Sequence, residues 1–160
     1  MDILHLIDHY SAYDFWANSR LMERLSRGTE SILDTNVKSS FPSIRGTLMH
    51  IRNAEAVWHA RMIGAVIRWP ADESSAMDTV LVHVLAMRKY VQSLTMDDLM
   101  GSVAYADLKG NTHEQVRWQA LMHCFNHSTY HRGQVVTMMR QLDLDDIPAL
   151  DLVVYQRLQP

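Results

Sequence analysis

The 160-residue chain contains little cysteine, glycine or proline, with one Cys, six Gly and four Pro. Because Cys124 is the sole cysteine, no disulfide can form within the chain, and we expect a protein of a reducing, cytoplasmic compartment. The first residues include Asp2, His5 and Asp8 among apolar ones. They do not form the unbroken apolar run of a signal peptide or a membrane span. We therefore expect neither export nor membrane insertion.

Positive charge is also scarce, since 15 Lys and Arg face 18 Asp and Glu for a formal net charge of −3. Sequence-independent affinity for nucleic acid comes mostly from clustered basic side chains. The composition therefore predicts no nucleic-acid partner. A chain of this length with 48% hydrophobic residues can bury a core of its own, and we expect residues 1–160 to form a single domain.

Apolar residues recur at intervals of three and four along most of the chain, a spacing typical of amphipathic helices. Ser43 has the character of an N-cap, and Gly64 that of a helix end. Thr112 precedes Gln115 by three residues, the spacing of a capping box. The predicted long helices cover residues 4–25, residues 43 to about 64, residues 74 or 75 to about 94, and residues 112–142.

The stretches between these helices contain turn-forming residues. Residues 26–42 indicate a loop with a short turn near Ile32 and Leu33, residues 102–113 a small hairpin or extended loop, and residues 151–158 a short helical turn. Gly133 lies inside the last long helix, where it indicates either a close helix contact or simple tolerance. We predict an all-α fold, an antiparallel four-helix bundle with a short hairpin or loop insertion before the last long helix.

Histidines form the most informative pattern in the chain. His123, His127 and His131 are four residues apart, so on a helix they lie on one face and adjacent pairs can present two imidazoles to one ion. A metal site needs at least three protein ligands, and His50 is our candidate for the third. Two alternatives remain open: His50 as an ordinary core imidazole, and a Cys-His-His site that uses Cys124.

Three segments resemble the DinB-like, or YfiT-like, family of metal-binding four-helix bundles. They are residues 13–18, residues 43–51 followed by Glu55, Trp58 and Arg61, and residues 126–135. The resemblance implies a metal site formed by His50, His127 and His131. It also implies frequent dimers, and some relatives in the wider superfamily are metal-dependent transferases or isomerases that use a low-molecular-weight thiol.

Three imidazoles suit zinc or nickel and leave a coordination position free for substrate. Together with the thiol-dependent relatives and the dimers that the resemblance implies, this leads us to expect a metal-dependent enzyme for thiol transfer to an electrophile or for hydrolysis of a small molecule, acting as a homodimer. Its cavity would be lined by Tyr13, Trp16 and Asn126. The alternative is a non-catalytic, metal-stabilised stress-response or binding module. No general base can be assigned from spacing, although Asp14 and Glu55 lie within the motifs.

Overall fold

The computed structural model describes residues 2–159, which contain seven helices and one two-stranded antiparallel sheet. None of these helices combines the length and hydropathy that crossing a lipid bilayer requires. The expected helical fold is confirmed at this level, with a small sheet added. The elements are α1 (Ile3–Leu25), α2 (Glu30–Leu33), α3 (Ile44–Ile63), α4 (Asp78–Gln92), α5 (Met96–Met100), β1 (Ser102–Ala106), β2 (Thr112–Val116), α6 (Arg117–Gln141) and α7 (Leu152–Arg157).

The two predicted residues, Ser43 and Gly64, cap the start and the end of α3. The Ser43 hydroxyl accepts a hydrogen bond of 3.1 Å from the Gly46 amide, which satisfies one of the free N–H groups of the first turn. Gly64 ends the helix in the left-handed conformation with φ of 67°. A residue without a Cβ adopts this conformation at little cost.

The predicted start of α6 is wrong because Thr112 belongs to a strand. Strand β2 pairs antiparallel with β1, and Thr112 lies opposite Ala106. The hairpin prediction is confirmed, but the ladder extends to Val116, so α6 starts only at Arg117. Pairing between strands has thus overridden the local capping-box signal.

Helix α5 was not predicted, although its sequence carries a usable signal. Thr95 and Asp98 form a capping box, in which the Thr95 hydroxyl accepts from the Asp98 amide at 3.2 Å and the Asp98 carboxylate accepts from the Thr95 amide at 2.8 Å. This five-residue helix connects α4 to the first strand of the hairpin.

Two core clusters define how the four long helices α1, α3, α4 and α6 are arranged. One cluster joins the C-terminal half of α1 to the N-terminal halves of α3 and α4 and the C-terminal half of α6. The other joins the opposite halves of the same four helices. Helix α3 therefore runs antiparallel to α6, and α1 runs antiparallel to α4.

Helices α3 and α4, however, run in the same direction. Arg52 donates to the Thr79 hydroxyl at 3.0 Å, and the Tyr90 hydroxyl donates to the Met62 carbonyl at 3.5 Å. Contacts therefore join the first half of α3 to the first half of α4 and the end of α3 to the end of α4. The expectation that neighbouring helices are all antiparallel is wrong for this pair. Residues 64–77 must return along α3 before α4 can start at Asp78, which explains why α4 begins later than predicted.

Gly133 was considered a possible close contact between helices, and the structure contradicts that interpretation. The residue is exposed, and a Cβ built on it would meet no atom within 4 Å. Glycine is therefore simply tolerated at this position of α6.

We expect Gly133→Ala to raise the free energy of unfolding by about 0.5–1 kcal/mol, because alanine has the higher helix propensity and lowers the entropy of the unfolded chain. Chemical denaturation measures the change. Gly64→Ala is the matched control, since its Cβ would also meet nothing within 4 Å but φ is +67°; it should lose about 1 kcal/mol. A destabilised Gly133→Ala protein would show that the glycine has a structural role after all.

Candidate metal centre

Close packing between α3 and α6 brings the three predicted histidines together. His127 and His131 lie one turn apart on α6, and His50 faces them from α3. The helices are held near this level by Leu48 and Ile51 in the shared core and by a contact of 3.6 Å from the Thr47 hydroxyl to the Met138 sulfur. Antiparallel packing therefore places one imidazole opposite a pair of imidazoles.

The three Nε2 atoms converge on one point. His127 Nε2 lies 3.0 Å from His50 Nε2 and 3.1 Å from His131 Nε2, and within residues 2–159 these three side chains form a group whose ligand atoms all lie within 4.8 Å. Two nitrogens bound to one tetrahedral zinc ion at about 2.0–2.1 Å are about 3.3 Å apart. The donor atoms and their spacing thus fit a divalent transition metal ion.

Gln134 sets the orientation and tautomer of His131. His131 Nδ1–H donates to Gln134 Oε1 at 2.7 Å, and because a carboxamide oxygen only accepts, the ring nitrogen at Nδ1 carries the hydrogen. The lone pair of His131 is then on Nε2, toward the other two imidazoles. Gln134 Nε2 in turn donates to the Ser40 hydroxyl at 2.8 Å. Outer partners of this kind commonly hold metal-ligating histidines in place.

Burial favours the neutral form of two of the histidines. Desolvation, with a smaller contribution from His131, lowers the pKa of His50 to about 4. The pKa of His127 is likewise lowered to about 4 by desolvation and then by His131, His50 and His123. Since a metal binds neutral imidazole, both side chains are ready for an ion well below neutral pH.

Cys124 and His123 lie outside this group. Cys124 is buried, and desolvation together with Glu55 and Asp14 raises the pKa of its thiol well above the ordinary value. Among residues 2–159, the ligand atoms that lie within 4.8 Å of one another come from His50, His127 and His131 and do not include the Cys124 sulfur, so the geometry does not support the Cys-His-His alternative. The His123 ring is 6.1 Å from the ring of His127 and packs at 5.1 Å against Trp58.

The carboxylates of the motifs lie in a buried polar network. Asp14 on α1 pairs with Arg132 on α6, and both side chains are 2% exposed. Glu55 is equally buried, and neither of its oxygens has a hydrogen-bond partner in the described part of the chain. Desolvation, followed by the charge of Asp14, raises the pKa of Glu55 well above the ordinary value. Burial therefore favours the protonated form of Glu55.

The cavity expected from Tyr13, Trp16 and Asn126 is not formed. Tyr13 donates to the Leu150 carbonyl at 2.7 Å, and the rings of Tyr13 and Trp16 pack against Tyr155 at 5.9 and 5.4 Å. Asn126 is exposed on α6. Tyr13 and Trp16 therefore hold the C-terminal segment against α1.

Two aromatic residues that sequence reasoning missed lie beside the histidines. The Phe41 ring is 4.4 Å from the His50 ring and 5.7 Å from the His131 ring. The Trp69 ring is 5.9 Å from the His50 ring. Both residues come from loops, so no periodic pattern could have indicated them. Gln134, by contrast, follows His131 by three residues on a helix, a spacing that permits contact.

These features define a mostly helical protein with three histidines that could hold a metal ion. The family model described as "DinB family" matches residues 4–159, and the chain belongs to that family. It is 24% identical over 147 residues to the protein DinB of Bacillus subtilis (strain 168), covering 85% of this chain and 86% of that protein.

A solved structure shares the fold. The crystal structure of a DinB-like protein from Bacillus cereus ATCC 10987 matches with a TM-score of 0.65 at 18% sequence identity, covering 86% of this chain and 91% of that one.

We expect His50→Ala, His127→Ala and His131→Ala each to abolish stoichiometric zinc binding, because each removes one of three converging nitrogens. Gln134→Ala should weaken binding by about 10- to 100-fold by freeing the His131 ring. Elemental analysis and competition with a chelator measure both effects, and circular dichroism should show an unchanged helical signal. His5→Ala and His123→Ala are controls that should keep the metal. If the His127→Ala protein still binds a full equivalent of zinc, or if zinc is lost only in the Cys124→Ser protein, the Cys-His-His alternative would be restored.

We also expect zinc uptake at pH 5.5 to release almost no protons from His50 and His127. With pKa values of about 4, both are already neutral, whereas two imidazoles at the ordinary value of about 6.5 would release close to two protons. Titration in weakly buffered solution measures the total release from the three histidines and bound water, and a total well above two protons per ion would contradict the lowered pKa values. By linkage, the metal-free protein should lose stability as pH falls from about 6.5 toward 4, since the unfolded chain takes up these protons first.

Proposed function

We propose that this protein is a metal-dependent enzyme that binds one divalent transition ion, zinc or nickel, through His50, His127 and His131. The reaction is transfer of a thiol to an electrophile or hydrolysis of a small molecule. The observation that carries this proposal is the convergence of three Nε2 atoms, one of them oriented by Gln134.

The composition of the site favours catalysis over a purely structural role. Structural zinc sites are closed by four protein ligands, whereas catalytic sites use three and leave a position for substrate. Among residues 2–159, the group of candidate ligands consists of three histidines. When bound, the ion would supply Lewis acidity that makes a thiol or a water molecule nucleophilic near neutral pH.

The protein's own residues would orient the metal ligands and favour the protonated form of nearby acidic groups. Gln134 holds the His131 ring, and burial raises the pKa of Glu55 and of the Cys124 thiol. In thiol transfer, a sulfur–carbon bond forms, the S–H proton goes to solvent, and the leaving group departs with its electron pair. In hydrolysis, water supplies the hydroxyl and the proton to the two products.

A non-catalytic module stabilised by metal is the second candidate, favoured by the fact that the histidines come from two helices. An ion bound there would link α3 to α6. These helices are already joined through Leu48, Ile51, Val135 and Met138 in the core, so they do not depend on a metal link for contact.

We also infer that the four long helices form one four-helix bundle, since each core cluster contains residues from all four helices.

The test compares metal-free, zinc-loaded and nickel-loaded protein. Thiol transfer is assayed with cysteine and 1-chloro-2,4-dinitrobenzene, and hydrolysis with 4-nitrophenyl acetate. We expect one of these reactions to exceed the uncatalysed rate, to stop when the metal is removed and to lose at least about 100-fold in His127→Ala, a loss of about 2.7 kcal/mol in transition-state stabilisation. Arg27→Ala, which alters an exposed residue, is the control.

The opposite result would identify the module. If metal raises the unfolding temperature of the wild-type protein strongly and neither reaction is accelerated with either ion, the binding role replaces the enzyme.

A further inference from the structure

We propose that the three-histidine site takes a substrate with a flat apolar group, aromatic or conjugated, which lies against Phe41 and Trp69 beside His50. This inference rests on the proposed function, because it concerns what reaches the free coordination position. It assigns a role to two loop residues that no motif identified.

The two rings flank the His50 imidazole at distances of direct contact. Phe41 lies 4.4 Å from His50 at an interplanar angle of 31°, and Trp69 lies 5.9 Å from it at 66°. Phe41 is half-buried, but Trp69 is 47% exposed. An exposed indole next to a polar site leaves a large apolar face open to a ligand.

The loop that carries Phe41 is attached to the metal centre itself. The preceding residue, Ser40, accepts a hydrogen bond of 2.8 Å from Gln134 Nε2, and the other end of the same carboxamide accepts from His131 at 2.7 Å. One side chain therefore positions both His131 and the loop that carries Phe41.

The loop that carries Trp69 is fixed by residues of α3 that follow His50. Asn53 Oδ1 accepts from the Ala71 amide at 3.0 Å, and Arg52 Nη2 donates to the Asp72 carbonyl at 3.0 Å. Arg52 and Asn53 are both buried. Since the anchors lie just after Trp69, the indole is held near His50 by the helix that carries this histidine.

The chemistry of the two rings defines the ligand class. Small-molecule sites combine apolar and aromatic walls with a few polar groups that orient the ligand. Aromatic pairs contribute more binding free energy than their buried area alone predicts, and they prefer offset or edge-to-face geometry. Phe41 and Trp69 form such a wall, and the imidazoles provide the polar part. A compound with a metal-binding head and an aromatic body matches both.

The experiment uses two probes with the same head group, benzohydroxamate and acetohydroxamate, and calorimetric titration of the zinc-loaded protein. We expect the wild-type protein to bind benzohydroxamate at least about tenfold more tightly, which corresponds to about 1.4 kcal/mol. This preference should disappear in Trp69→Ala and in Phe41→Ala, while affinity for acetohydroxamate and zinc content stay unchanged.

Two further variants test whether the effect is specific. Trp69→Phe keeps an aromatic ring and should retain most of the preference. Val82→Ala removes an apolar side chain that is 62% exposed on α4 and should retain all of it.

Other outcomes would overturn the inference in distinguishable ways. If both hydroxamates bind equally, or if the preference survives both alanine variants, the aromatic subsite is wrong and the proposed enzyme stands. If neither hydroxamate binds the zinc-loaded protein, the ion offers no free position, and the proposed function fails together with the subsite. If sedimentation shows that Trp69→Ala changes self-association and leaves the preference intact, Trp69 is a contact between copies of the chain.

Discussion

The buried ion pair between Asp14 on α1 and Arg132 on α6 determines the rotation of α6, and the geometry of the site depends on that rotation. Arg132 also donates to the hydroxyls of Ser128 and Thr129, both at 2.8 Å. Adjacent residues on a helix are about 100° apart around its axis, so when Arg132 faces α1, His131 is turned toward α3. Removing one partner of such a pair leaves a buried charge and costs roughly 3–5 kcal/mol.

The same burial determines which groups in the interior carry charge. Asp14 and Arg132 form the buried ion pair, whereas the pKa of Glu55 is raised by desolvation and then by the charge of Asp14. Desolvation acts in the opposite direction on His50 and His127, whose pKa values fall. Burial therefore favours the neutral form of Glu55 and of both imidazoles. The lone pairs of these imidazoles are then free to bind an ion.

Local signals in the sequence predicted much of the fold, and strand pairing in the hairpin together with nonlocal contacts accounts for the rest. The Ser43 cap, the Gly64 end and the helical stripe of histidines depend on neighbours within a few residues, and the structure agrees with each. Thr112 gave the wrong helix start because its backbone pairs with β1, the preceding strand of the same hairpin. The pairing of His50 with the α6 histidines needed the family resemblance, since spacing cannot relate two separate helices. Phe41 and Trp69 could not be predicted, because tertiary hydrogen bonds place their loops.

The anchoring of the loop between α3 and α4 has a consequence for how members of such a family can diverge. Residues 71, 72, 74 and 79 are all bonded to Arg52 or Asn53, and the Ala65 amide is bonded to the Ala60 carbonyl at 2.9 Å. Insertions and deletions can therefore accumulate between residues 66 and 70 without disturbing the helices. This short window includes Trp69. Evolution could alter the length and shape of this segment beside His50 while the histidines stay in place.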